Sequence, residues 1–131
     1  MTCDGIAALR RVPVVLAAVM LCSPAWAGEA DVVDVRAQIQ ADGSYRFDAT
    51  VSHADEGWDH YADAFEIVGP DGGVLGTRVL AHPHVNEQPF TRSLGGVKIP
   101  QDVTSVAVRG RDKVHGLGGK TYQVRLPGRS K

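Results

Sequence analysis

From residue 33 onward the apolar residues of this chain recur at every second position, in short runs interrupted by clusters of Gly, Pro, Asn and Asp. A period of two places alternate side chains on opposite faces of an extended backbone, the pattern of half-buried β-strands. Val33, Val35, Ala37 and Ile39 share one face of the first run. Ala41, Asp42 and Gly43 then turn the chain into a second run with Tyr45, Phe47, Ala49 and Val51 inward, which predicts a hairpin. A third strand is expected from Trp58 to Val68, with Tyr61, Phe65 and Ile67 on one face, and GPDGG at residues 69–73 stops it. Runs over 74–81, 88–94, 103–112 and 120–126 complete the set, and no stretch carries a helical period. Seven short strands in about 100 residues predict an all-β, seven-stranded antiparallel two-sheet sandwich of immunoglobulin-like architecture, with a small barrel as the alternative.

The N-terminal residues follow a different rule. Arg10 and Arg11 precede the apolar run Val12–Leu21, and Ser23, Pro24, Ala25, Trp26 and Ala27 follow it. That order is the pattern of a secretory signal, with small side chains at Ala25 and Ala27 where a signal peptidase reads. Residues 1–27 are therefore expected to be a cleaved signal peptide and residues 28–131 the β-sandwich domain. A retained anchor is disfavoured because the apolar run is interrupted by Pro13 and falls well short of the roughly 20 residues a spanning helix needs. A lipid-anchored Cys22 is disfavoured because the large Leu21 precedes it. The expected location is periplasmic or secreted, with no stable membrane anchor.

Cleavage at that point would remove Cys3, Cys22, Met1 and Met20, leaving residues 28–131 without sulfur. Such a domain forms no disulfide and depends on its core. Setting Asp4, Arg10 and Arg11 aside leaves 12 Lys and Arg against 14 Asp and Glu, a net charge of −2 with histidine neutral. A near-balanced surface excludes the basic face that nucleic acid requires.

The segment 103–126 (VTSVAVRGRDKVHGLGGKTYQVRL) resembles the last hairpin of bacterial immunoglobulin-like or fibronectin type III-like exported domains, in which a strand ends in Asp and a Gly-rich loop leads to the closing strand. The wider pattern, with GWDHYAD and HPHVNEQPFTRSL, is similar to short exported bacterial proteins. The resemblance implies the sandwich fold and a binding or spacing role.

If successive strands reverse direction, the second, fourth and sixth connections fall at one end of the sandwich. All five histidines, His53, His60, His82, His84 and His115, lie in or beside those three connections. His53 continues the inward series of the second strand, and Asp112 continues the inward series Val106, Val108, Gly110 of the sixth. The two are expected to meet across the core. His82 and His84 flank Pro83 in an extended segment, so their rings should lie side by side and form the core of a metal site. His115, on a loop freed by Gly116, Gly118 and Gly119, is the expected third ligand, with His53 and Asp112 orienting the site from beneath. His60 shares parity with Ala62, Ala64 and Glu66 and is expected to point outward, entering the site only if a bulge turns the third strand inward. Imidazole without thiolate or thioether favours Zn(II), Cu(II) or Ni(II) over Cu(I).

Each of these residues also has an ordinary structural role open to it: a solvated loop histidine, or a strand-end histidine bonded to a carboxylate. Trp58, Tyr61 and Phe65 read as core and rim aromatics. Asp55, Glu56, Asp59 and Glu87 offer oxygen ligands but lack the spacing of a calcium loop. Arg92, Arg109 and Arg111 lie at outward parity as part of a solvated face. No serine elbow, nucleophilic cysteine or phosphate loop is present, so the chain is not expected to be an enzyme; a metal-dependent hydrolase is the residual catalytic possibility. Two functions remain. One is a small exported protein whose histidine-rich end binds a divalent metal ion, and the other is a metal-free immunoglobulin-like module that binds an envelope protein.

Overall fold

The computed structural model describes residues 28–129. Eight strands form: β1 (Asp31–Ile39), β2 (Tyr45–Ser52), β3 (Ala62–Val68), β4 (Val74–Val79), β5 (Phe90–Val97), β6 (Ser105–Asp112), β7 (Gly116–Leu117) and β8 (Tyr122–Arg125), with no helix among the described residues. One antiparallel sheet has the order β1-β2-β5, and the second runs β4-β3-β6, with β7 and β8 both pairing along the remaining edge of β6. The fold is an all-β two-sheet sandwich. The expected signal peptide lies outside the described residues.

Alternation explains the core. Tyr45, Phe47, Ala49 and Val51 of β2 are fully buried and face Phe65, Ile67, Val106 and Val108 of the other sheet, with Phe90 and Leu126 closing the sides. Each large apolar side chain buried in this way contributes roughly 1.5–3 kcal/mol. The Tyr45 hydroxyl, carried inward with its ring, donates to the Pro127 carbonyl at 2.7 Å.

Three departures from the expected pattern have local causes. A bulge between Val32 and Asp34 shifts the face of β1, so Val32 and Val35 are buried while Val33 and Ile39 are exposed. The third strand begins at Ala62 instead of Trp58, because residues 56–60 close a turn in which the Glu56 amide donates to the His60 carbonyl at 2.8 Å. Trp58 consequently stands on the rim, 62% exposed and edge-on to Tyr61.

The expected seventh strand, 120–126, forms as the shorter β8, and the connection before it contributes the two-residue β7. Between β7 and β8 the chain meets the start of β1. The Val32 amide donates to the Lys120 carbonyl at 2.9 Å, and the Lys120 amide donates to Asp31 at 2.7 Å. A side chain at Gly119 would place its Cβ 2.0 Å from the Ala30 carbonyl oxygen, so only glycine admits this crossing. Asp31 pairs with Ser52, so β1 begins at the end of the sandwich where β2 finishes.

Candidate metal centre

That end gathers side chains from both sheets and three connections. His53 follows β2 and extends its buried face, while Asp112 closes the buried face of β6. Both side chains are fully buried, and His53 Nε2 lies 3.8 Å from Asp112 Oδ2. The 54–61 connection then carries His60 over them. A register shift between Ala62 and Ala64 in the pairing of β3 with β6, together with the preceding turn, rotates His60 inward. Its side chain is only 11% exposed, and His60 Nε2 lies 3.4 Å from Asp112 Oδ1. The expectation that His60 points outward is thus corrected: strand parity does not carry backwards through a turn. Nitrogen atoms of His53 and His60 and an oxygen of Asp112 all lie within 4.8 Å of one another, two imidazoles and one carboxylate that could hold a metal ion.

The hydrogen bonds around these groups leave the inward nitrogens of the two histidines free, while Asp112 Oδ1 accepts the Val114 and His115 amides at 2.8 and 2.7 Å. His53 Nδ1 is 2.5 Å from Asp55 Oδ1, which also accepts the Ala62 amide at 3.0 Å. Asp55 Oδ2 accepts the His84 amide at 2.6 Å. A buried carboxylate facing Nδ1 fixes the proton there and presents the Nε2 lone pair, the arrangement by which carboxylates orient metal-binding histidines. Neither His53 Nε2 nor His60 Nε2 has a hydrogen-bond partner, although both are buried. Burial works to raise the Asp112 carboxyl, but the amides of His115 and Val114 and the adjacent His115 ring outweigh it and hold the group below the usual carboxylate value. Asp112 therefore favours its charged form, as a ligand must.

His115 borders this group. Its ring centre is 5.1 Å from that of His60, its Nδ1 is 3.1 Å from Asp112 Oδ2, and its side chain is 39% exposed. His82 and His84 do lie side by side, with ring centres 4.5 Å apart. Neither belongs to the group of three donors that lie within 4.8 Å of one another, contrary to their expected place at its core, although His84 Nδ1 is 3.9 Å from Asp55 Oδ2. His82 is exposed beside the Pro83 carbonyl, whereas His84 is buried and stacks on Phe90 at 3.9 Å. Proline makes the pair extended, and the Asp55 bond to the His84 amide anchors one ring inside while the other stays in solvent. Burial first, then the nearby Arg92 and His82, lowers the affinity of His84 for a proton below that of a free imidazole.

Asp55 is the residue that strand parity does not single out. Its significance comes from joining three segments, and the sequence signal is limited to its place two residues after an inward histidine. The acidic residues named as calcium candidates do not converge. Asp55 is enclosed by His53, Ala62 and His84, and Glu56 is exposed 3.6 Å from His60 Nδ1. Arg109 and Arg92 pair with Glu66 and Glu87 at 2.8 and 3.4 Å, as members of an ordinary solvated face.

No protein-family model matches the chain, and no solved structure matches it. A protein of Halomicrobium mukohataei designated "Putative lipoprotein" is 42% identical over 96 residues, which are 73% of this chain. The chain spans about half the length of that relative, 47% of it.

Proposed function

We propose that this is a small exported protein whose histidine end binds one divalent transition-metal ion, with His53, His60 and Asp112 as the core ligands. The observation that carries the proposal is the pair of buried, unpartnered Nε2 atoms facing a charged carboxylate. A buried polar atom without a partner is costly, and a metal ion satisfies both nitrogens and the carboxylate together. Two imidazoles and a carboxylate suit Zn(II) or Cu(II), and no sulfur ligand lies among the described residues. Export is supported by the charge-then-apolar order of residues 10–27 and by the designation of the relative.

The second reading is a metal-free module that binds an envelope protein. The exposed Trp58, Val85, Val114 and Leu117 favour it, because all four sit in or beside the connections of the histidine end. Calorimetric titration of the untagged protein with Zn(II) and Cu(II) separates the two readings. The metal reading expects one equivalent bound, abolished in His60→Ala and retained in His82→Ala. No heat in the parent assigns the protein to the interaction class.

A further inference from the structure

Residues 28–131 contain no cysteine, so no disulfide within them ties the two sheets together. The candidate ligands are placed where such a tie would act. His53 extends β2 in one sheet, Asp112 ends β6 in the other, and His60 and His115 arrive from the connections after β2 and β6.

Four ligand atoms held 2.0–2.1 Å from one ion at tetrahedral angles lie about 3.3 Å from each other. His53 Nε2 and His115 Nδ1 lie 3.8 and 3.1 Å from Asp112 Oδ2, and His60 Nε2 lies 3.4 Å from Asp112 Oδ1. His115 stands outside the group whose ligand atoms are all within 4.8 Å of one another, so its ring has to close inward to become a ligand. His53 and Asp112 are fully buried and His60 nearly so, which leaves His115, 39% exposed, as the one group of the four that stands toward solvent.

Building on the metal-binding reading above, we propose that the ion is a closed, four-coordinate clamp between the two sheets, with His115 as its fourth ligand. His115 then fills the position that a hydrolytic site would leave to water, and the ion cross-links β2 to β6 instead of activating a substrate. The three-residue spacing from Asp112 lets one loop supply two ligands, and Gly116, at φ +69°, gives that loop the freedom to close.

Cobalt(II) reports coordination number through its visible absorption, and azide reports a vacant position. The untagged protein loaded with cobalt(II) is expected to show the intense bands of a four-coordinate ion, unchanged by azide. In His115→Ala, cobalt(II) should bind on the order of tenfold more weakly, and azide should shift the bands. Parent bands that respond to azide would overturn the clamp, as would a His115→Ala protein whose affinity and spectrum match the parent. If His115→Ala fails to fold, the azide response of the parent alone decides. Absence of any cobalt band in the parent would instead defeat the metal reading itself.

Discussion

At the end of the sandwich that holds the turns at 40–44 and 69–73, polar groups are satisfied by near neighbours. Asp42 accepts from the amide and hydroxyl of Ser44 at 3.0 and 2.6 Å, Asp71 accepts from the Gly73 amide at 2.9 Å, and Arg129 donates to the carbonyls of Ile99 and Val103. The histidine end is built differently. Of the five buried side-chain atoms without a partner among the described residues, four are imidazole nitrogens of His53, His60 and His84. One end is complete as a set of turns, while the other keeps buried lone pairs that its own hydrogen bonds do not use. A fold finished only for stability would satisfy both ends alike.

The largest effect should come from removing the group on which the histidine end converges. Asp112→Ala removes the charged acceptor of the Val114 and His115 amides and should lower unfolding stability by about 1–3 kcal/mol. It should also abolish Zn(II) binding; urea denaturation and calorimetry check the two parts. Asp55→Asn keeps the shape but loses the charge that fixes the His53 tautomer, and should weaken Zn(II) binding by about 10–100-fold. An unchanged affinity there would show that Asp55 is merely structural.

Acid should act through the histidine end before it acts elsewhere. Because the His84 ring binds its proton less readily when folded than the ordinary value of 6.5, the unfolded chain takes up a proton first as pH falls. Stability of the metal-free protein is therefore full above about 6.5 and declines as pH drops through that value, until the folded ring also protonates. In His84→Phe this part of the decline should disappear from urea-unfolding curves collected between neutral and mildly acidic pH. The depressed Asp112 carboxyl gives a separate loss of stability only below the ordinary carboxylate range, 3.8.

At the opposite end, Gly43→Ala forces a left-handed residue at φ +87° and should cost about 1 kcal/mol with no change in metal affinity. Smallest of all is His82→Ala. An exposed ring outside the three-donor group should change Zn(II) affinity less than twofold and stability by less than about 0.5 kcal/mol.

How far the sequence is legible follows the same division. Where a strand runs without interruption, a period of two is sufficient: the inward series of β2 leads to His53, that of β6 leads to Asp112, and the two face each other. Where a bulge or turn intervenes, parity fails. Val33 is exposed because the chain bulges between Val32 and Asp34, and His60 turns inward because its segment curls before β3 begins. The HPH segment predicts two adjacent rings, and they are adjacent. It does not reveal that Asp55, nearly thirty residues earlier, fixes His84 inside while His82 remains in solvent. Such relations depend on tertiary contacts, and no local period encodes them.

The central claim is that a metal ion uses the inward nitrogens of His53 and His60 and leaves His82 alone. Long-range proton–nitrogen correlation spectra of the untagged, nitrogen-15-labelled protein, recorded during Zn(II) titration, observe each imidazole nitrogen separately. At one equivalent, His53 Nε2 and His60 Nε2 should move to the positions of metal-bound nitrogens, with His53 Nδ1 still protonated and the His82 ring unchanged. Movement of the His82 and His84 nitrogens while His53 and His60 stay fixed, or no movement at any ring, would contradict the account.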